Sequence, residues 1–400
     1  LPLVCRRFAE LVPIAARRQQ KLLVYVSKKP SSLFYNKCFN VHSGFSSTTV
    51  KKLHYHFPRV TKLELICYEK ILTDVKMNKM LQLWPTTLIS LRMVTRNIIS
   101  YKSPYSKNLF TIINTLSNLR KLEMEFLSVD FGNSLDLSIL SHLSQFSIAA
   151  HSNFSGINSL MDSLQRHAIS NHDLQEVSIG PIEYDKLELL FQLPDNMKDK
   201  FKSLFFIKVD SIHFMQNLPR IMTSFNALQK FDINMANRDT LDLYECMRQL
   251  ASLPKLEDLS IVGEYWENAK NPLSIYDYCD LDEIPRFEKL RYFSMETNNA
   301  ADHDFLHSKH LGYMFPVLAE CCLYYESKCS ICDLRSQGNK KKTLYRCAQL
   351  AAKPWFEQCS SLSKFYCNSY NFEKDKKCIF CEKDDEKEED SEVEEDSDYD

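Results

Sequence analysis

The residues best suited to chemistry are two pairs of cysteines near the end of the chain. "CSIC" and "CIFC" each place two thiols three positions apart, a spacing at which both thiolates can bind one tetrahedral zinc ion. Together the pairs would supply four ligands, although the 45 residues between them are more than a usual zinc ribbon has. Two interpretations stand: a structural zinc site, or unrelated reduced thiols. The candidate ligands are Cys329, Cys332, Cys378 and Cys381.

A second cluster of potential ligands is the histidine group in "HDFLHSKH". His303 and His307 lie one helical turn apart, but Asp304 stands where the metalloprotease motif H-E-x-x-H has its general-base Glu. The polar face of an outer helix explains these histidines better than a metal site. No Ser-His-Asp or Cys-His set stands out by its spacing, and the seven glycines form no G-x-G arrangement to hold phosphate. We assign no catalytic residue and expect a protein that is not an enzyme.

A repeat along the chain predicts the framework that positions these residues. The pattern L-x-x-L-x-x-L-x-L, with other apolar residues allowed, is clearest in "LPKLEDLSI" and recurs about every 30 residues, the period of leucine-rich repeats. Each copy predicts a short strand whose alternate residues face the core, preceded by a segment with helical periodicity. We call the penultimate apolar position of each copy its marker. The markers are residues 63, 91, 122, 146, 177, 207, 231, 259, 293, 321 and 365.

The fold predicted from this repeat is an α/β leucine-rich-repeat solenoid of about eleven or twelve irregular units. It would span residues 26–372. One unit cannot bury its own apolar face, so stacked neighbours must close the core. An ordinary Leu-rich α/β domain is the alternative. Three cysteines fall at small apolar positions of the repeat and are therefore expected in the core: Cys321, Cys359 and Cys367.

The residues between the inward-facing ones predict a recognition surface. Successive side chains of a strand point to opposite sides of a sheet. Here the outward set mixes charges of both signs with aromatic residues, which protein interfaces favour. We expect a protein partner at this surface; the alternative is that the side chains are solvated or covered by loops. The candidate substrate-binding residues are Phe206, Lys208, Lys230, Asp232, Asp258, Tyr292 and Tyr366.

The first residues predict an amphipathic helix with a distinctive run. In "LVCRRFAELV", Val4, Phe8 and Leu11 lie on one helical face, and Pro13 ends the helix. A Val-Cys-Arg-Arg-Phe helix directly before leucine-rich repeats resembles the C-terminal half of an F-box, over residues 1–25. Because the chain does not begin with Met, we expect the rest of the F-box upstream. The alternative is a helix that caps the solenoid.

The resemblance implies a function. F-box proteins with leucine-rich repeats are, as a family, substrate receptors of Skp-cullin-F-box ubiquitin ligases, in which the F-box docks on the Skp adapter and the repeats hold a protein substrate. The expected partners are therefore the Skp adapter, the cullin scaffold and a protein substrate. On the same resemblance, the residues on the adapter-facing or core side of the opening helix are Leu3, Val4, Cys5, Arg7 and Phe8.

The end of the chain carries a strong excess of negative charge. Residues 382–400 contain 13 acidic residues and two Lys, a net charge of −11, so the preceding residues carry +9. We expect residues 373–400 to hold one cysteine pair followed by a disordered tail, because such a segment buries little apolar area. Ser391 and Ser397 each have an acidic residue three positions on, which is typical of acidophilic kinase sites. The tail either solubilises the chain, screens its basic part or contacts basic partners such as histones.

The remaining composition narrows the class of protein. No apolar run approaches the 18 residues of a membrane span, and the basic residues are dispersed, so we expect neither a membrane nor nucleic acid as a partner. Fourteen Cys in a long, Leu-rich chain favour a reducing cytoplasm or nucleus over a secreted disulfide scaffold. We expect a substrate receptor with no cofactor beyond the zinc considered above. The alternative is a leucine-rich scaffold, without a ligase role, whose acidic tail binds histones or other basic nuclear proteins.

Overall fold

The protein forms two compact units of mixed α/β structure. The computed structural model describes residues 20–27, 39–42, 55, 57–67, 79–95, 107–130, 135–170, 174–235, 243–263, 279–297, 308–325, 348–349, 352–367 and 370–373. The units span Leu1–Glu267 and Asn268–Asp400. Both contain strands with helical segments between them in sequence, so the predicted α/β class is confirmed.

The first unit is built around a parallel sheet. Its strands are β1 (Lys21–Ser27), β2 (Phe39–His42), β3 (Lys62–Cys67), β4 (Ser90–Thr95), β5 (Lys121–Asp130), β6 (Gln145–Ser155), β7 (Glu176–Glu183), β8 (Phe201–Val209), β9 (Lys230–Met235) and β10 (Asp258–Gly263). They lie in the order β2-β1-β3-β4-β5-β6-β7-β8-β9-β10, and the pairings between them are parallel. From β3 to β10, therefore, each strand lies beside the next one in the chain.

Helical segments connect these strands, as parallel pairs require. The α-helices of the first unit are α1 (Lys107–Ile113), α2 (Ile157–Ser170), α3 (Leu187–Phe191), α4 (Asp195–Lys198), α5 (Ser211–Ser224) and α6 (Leu243–Leu250). Helix α5 begins where the Asp210 carboxylate accepts a hydrogen bond from the His213 N–H at 2.9 Å, an N-cap that satisfies a helix-end donor. Phe214, Leu218 and Ile221 then recur on the buried face of α5.

The marker residues align from strand to strand in the first unit. They are register partners from β3 to β7 and again from β9 to β10, and all of them are buried. Alternation along each strand then places every second residue in the core. The predicted inward positions are confirmed for Leu63, Leu91, Leu122, Phe146, Val177, Phe231 and Leu259.

A repeated backbone hydrogen bond holds the strands at one level. The carbonyl of the residue before one strand accepts from two consecutive N–H groups at the start of the next, at 2.7–3.1 Å. The Thr61 carbonyl, for example, accepts from Ile89 and Ser90, and the Ile89 carbonyl accepts from Arg120 and Lys121. The same arrangement recurs at Gln20, Arg120, Ser144 and Gln229. It satisfies backbone donors that would otherwise be buried at each strand entry.

Strand β8 departs from the predicted register. The sequence pattern places the marker at residue 207, but Leu204 is the buried residue that pairs with the marker of β9. The pairing shifts between Phe206 and Val209, where Lys208 has a left-handed φ of 55°. An irregularity of this kind interrupts the alternation of side chains. Phe206 and Val209, on either side of it, are therefore both buried. The prediction that Phe206 is exposed is therefore wrong.

The second unit repeats the parallel arrangement on a smaller scale. Its strands are β11 (Tyr292–Thr297), β12 (Glu320–Tyr325), β13 (Lys364–Cys367) and β14 (Tyr370–Glu373). The first three pair in parallel, and β14 is antiparallel to β13. The buried markers Phe293, Cys321 and Phe365 are register partners, as predicted.

The core of the second unit is aromatic and contains the predicted cysteines. The Phe315 ring stacks on Phe293 and on Trp355, with ring centroids 5.2 and 5.6 Å apart. Burial raises the pKa of the Cys321 thiol well above its ordinary value, which keeps it protonated and unreactive. The core positions predicted for three cysteines are confirmed: Cys321, Cys359 and Cys367.

The described helical residues of the second unit are α7 (Leu311–Met314), residues 348–349 and residues 352–358. His310, from the histidine group, lies directly before α7. Throughout the described ranges, no helix combines the length and apolarity needed to cross a membrane.

Candidate functional site

One side of the first unit's sheet carries its polar side chains. On β9, Phe231, Ile233 and Met235 are buried, and the residues between them are partly exposed. Because the side chains alternate, the buried set lies in the core and the other set lies on the opposite side of the sheet. We call that opposite side the polar face.

Register pairing arranges the polar face in two rows between β5 and β10. The first row is Glu123, Ser147, Ser178, Ser203, Lys230 and Asp258. The second row begins with Glu125, Ala149 and Gly180 and continues with Phe205, Asp232 and Ser260. Small side chains therefore occupy both rows on β6 and β7, and larger charged or aromatic ones stand on either side.

Ion pairs cross the polar face from β1 to β5. Glu64 lies 2.7 Å from the Arg92 guanidinium and 3.9 Å from the Lys21 ammonium. Arg92 also lies 3.6 Å from Glu123, which pairs with Lys121 at 2.7 Å. Because these groups are partly exposed to solvent, each pair is worth about 0–1 kcal/mol. These ion pairs mainly hold the charged side chains in place on the polar face.

Three predicted substrate-binding residues form one cluster on β9 and β10. The Lys230 ammonium lies 3.0 Å from Asp258 and 3.5 Å from Asp232. Burial raises the pKa of Asp232 to about 6, against the opposing effect of Lys230, and Asp258 raises it further. For Lys230, burial lowers the pKa, but the two carboxylates raise it more, so it stays charged. The cluster holds two acids and one base in a partly desolvated position.

Phe205 is an aromatic residue of the polar face that the sequence prediction missed. It lies between the buried Leu204 and Phe206, is itself partly exposed, and pairs in register with Asp232. A Cβ atom added to Gly180 would lie 2.5 Å from the Phe205 Cβ, so glycine is needed where the two strands bring these residues together. An isolated Gly within a strand pattern is a signal of such close approach.

The other predicted substrate-binding residues lie apart from this cluster. Lys208 is exposed and pairs with Glu183 on β7, which raises the pKa of Lys208 by hydrogen bonding and by charge. Tyr292 and Tyr366 are partly exposed on strands of the second unit. Phe206, with no exposed surface, belongs to the core.

Several predicted sites lie outside the described residues. These are the adapter-facing residues Leu3, Val4, Cys5, Arg7 and Phe8, the candidate zinc ligands Cys329, Cys332, Cys378 and Cys381, and the candidate phosphorylation sites Ser391 and Ser397. In the part of the chain that the structure does describe, no group of three or more His, Cys, Asp or Glu side chains is arranged to hold a metal ion. The zinc and adapter sites therefore stay predictions.

Comparison with known proteins assigns no family to this chain. No family model matches the sequence, and no curated protein matches it either.

Proposed function

We propose that this protein is the substrate receptor of a Skp-cullin-F-box ubiquitin ligase, formed by an F-box and a leucine-rich-repeat solenoid. The observation that carries the proposal is the strand register. From β3 to β10 the parallel strands follow chain order, and markers about 30 residues apart pair with one another. Stacked repeats of equal length produce this regularity, whereas a doubly wound sheet reverses its strand order partway.

The polar face supports a binding role for the solenoid. It presents ion pairs, a partly exposed aromatic ring and a charged cluster on rigid strands, and interfaces combine such groups. In this proposal the face holds a protein substrate, and the catalytic chemistry belongs to other subunits of the ligase.

The opening helix supports the adapter contact. Val4, Cys5 and Phe8 belong to the Val-Cys-Arg-Arg-Phe run that resembles the end of an F-box. In the proposed complex, apolar residues of this run contact the Skp adapter, which brings the cullin scaffold to the substrate. The cytoplasm or nucleus, where such ligases act, is the proposed location.

The test is binding to purified Skp adapter. Protein expressed from the full reading frame is immobilised, and adapter binding is compared with that of Val4→Asp/Phe8→Asp. Two hot-spot losses should weaken binding by at least about 100-fold. The matched control is Ile169→Asp/Ile212→Asp, which makes the same chemical change at side chains exposed on α2 and α5. Equal binding by wild type and the first variant, or none by folded wild type, would reject the ligase role.

The acidic tail supports the second candidate, a scaffold that binds basic nuclear proteins. Residues 382–400 carry a net charge of −11, which attracts basic partners at low ionic strength. Its test is histone binding by the chain with and without residues 382–400. Tail-dependent histone binding together with no adapter binding would favour the scaffold over the ligase receptor.

A further inference from the structure

Charge is unevenly distributed along the polar face of the first unit. In the register rows of the face, the described residues on β1 to β4 include three bases and one acid, and those on β5 to β10 include two bases and five acids. The bases are Lys21, Lys62, Arg92, Lys121 and Lys230, and the acids are Glu64, Glu123, Glu125, Glu176, Asp232 and Asp258. Farther along β7 and β8, Glu183 and Lys208 pair with each other and add no net charge. The net charge thus changes from +2 to −3 across the face. We call the part on β5 to β10 the acidic half.

Contacts within the acidic half leave its negative charge in excess. Lys121 pairs with Glu123, and Lys230 with Asp258 and Asp232. Glu176 accepts a hydrogen bond from the neutral Gln145 amide at 2.9 Å. By formal charge, two bases stand against five acids in these rows, a net charge of −3; Arg92 on the neighbouring β4 also lies 3.6 Å from Glu123.

The shape of the acidic half suits a bound segment. Ser147, Ala149 and Ser178 have small side chains and Gly180 has none, so the middle of the two rows carries little side-chain volume apart from Phe205 beside Gly180. Glu123 and Glu125 stand on one side of these small residues, and Phe205 stands on the other. Three strand spacings separate β5 from β8, about 14 Å, which is the width of a polypeptide segment with its side chains.

We infer that the acidic half binds a basic segment of the substrate, with Lys or Arg side chains on its carboxylates and an apolar side chain against Phe205. This inference rests on the proposed function, because it names the substrate class of the same face. Charge complementarity selects the occupant: an acidic partner would meet a net charge of −3, and nucleic acid or an anionic membrane would be repelled in the same way.

The test is a selection of random 12-residue peptides on the immobilised full chain. The readout is the ratio of Lys and Arg to Asp and Glu in bound peptides, relative to the input pool. The wild type should enrich basic residues by about threefold or more, since complementary charge governs selection among partners. The variant Glu123→Gln/Glu176→Gln/Asp258→Asn, with its fold checked by circular dichroism, should lose this enrichment. Absence of enrichment by the wild type, or unchanged enrichment by this variant, would overturn the inference.

Two further variants separate charge from shape and position. Phe205→Ala should keep the basic enrichment but lose the preference for a neighbouring apolar residue. Asp162→Asn removes an exposed acid from helix α2, away from the polar face. It should leave the selection unchanged; a loss equal to that of the triple variant would show that the effect is not local.

Adapter binding distinguishes failure of this inference from failure of the proposed function. The selection is repeated with Val4→Asp/Phe8→Asp, which alters the opening helix and leaves the polar face intact. Basic enrichment without adapter binding by the wild type would reject the ligase role and retain the basic-segment site. Adapter binding without basic enrichment would retain the ligase role and reject the site.

Discussion

Replacing Asp232 by Asn should stabilise the first unit at neutral pH. Burial and the nearby Asp258 carboxylate raise the pKa of Asp232 from 3.8 to about 6, although Lys230 acts in the opposite direction. At about 1.4 kcal/mol per pH unit, ionising this carboxyl in the folded state costs about 3 kcal/mol of unfolding free energy at pH 7. Asn removes that cost, and Lys230 keeps its contact with Asp258 at 3.0 Å. The gain should therefore approach 3 kcal/mol.

The stability gained by Asp232→Asn should depend on pH. Between pH 4 and 6 the folded state holds the Asp232 proton more tightly than the unfolded state, so the wild type loses stability as the pH rises through this window. At pH 4 the carboxyl is protonated in the folded state and only partly ionised in the unfolded state, so the variant and the wild type should differ by less than about 1 kcal/mol. Hydrogen exchange of peptides that span β9, measured by mass spectrometry at pH 4, 5, 6 and 7.5 after correction for intrinsic rates, reports this local stability.

An exposed carboxyl serves as the control. Asp162→Asn on helix α2 makes the same chemical change at an exposed residue and should alter stability by less than about 0.5 kcal/mol at every pH. If Asp232→Asn destabilised β9 at pH 7.5, or changed it equally at pH 4 and 7.5, the reasoning would be refuted. Destabilisation at pH 7.5 would mean that the ion pair with Lys230 outweighs the effect of burial, and an equal change at both pH values would mean that the effect does not come from ionisation of Asp232.

Further substitutions, each with a matched control, test the packing around β8 and α5. Phe206→Ala should lower the unfolding free energy by about 3–5 kcal/mol in urea titrations, since Phe206 is fully buried, whereas Phe205→Ala should cost far less; equal losses would contradict the assigned phase of β8. Gly180→Ala should cost about 1–3 kcal/mol because its Cβ would lie 2.5 Å from the Phe205 Cβ. Adding Phe205→Ala keeps that Cβ and should not recover the loss, whereas adding Phe205→Gly removes it and should recover part of the loss. Asp210→Ala should cost about 1 kcal/mol through the lost N-cap of α5, whereas Asp210→Asn should retain most of the stability.

The repeat could be predicted from the sequence because the pattern of apolar residues in each strand shows which of its positions are buried. Leu122, Phe146 and Val177 are large apolar residues at one recurring position, and the core requires apolar residues there. Their pairing follows once neighbouring units stack. The α/β class and the buried cysteines of the second unit follow from the same periodicity.

Strand β8 could not be predicted because its phase depends on a backbone irregularity. Side chains of a strand alternate between two sides, and on β8 both sets are apolar: Phe205 and Ile207 in one set, Leu204 and Phe206 in the other. Only the pairing with β9 and the left-handed Lys208 decide which set is buried. This is why Phe206 was predicted on the face and Phe205 was missed.

The charged cluster was predicted in part. Alternation placed Lys230, Asp232 and Asp258 on one side of the sheet, and the structure brings them together. The raised pKa of Asp232 depends on burial by neighbouring strands, which no local pattern of residues encodes. Composition likewise gave no sign that the face divides into a basic and an acidic half, because those charges come from strands far apart in the sequence.

The proposed ligase role requires that this chain bind the Skp adapter. Size-exclusion chromatography with light scattering, on protein from the full reading frame mixed with purified adapter, measures that binding. We expect a stable one-to-one complex that Val4→Asp/Phe8→Asp abolishes and Ile169→Asp/Ile212→Asp preserves. Separate elution of the folded wild-type chain and the adapter would contradict it.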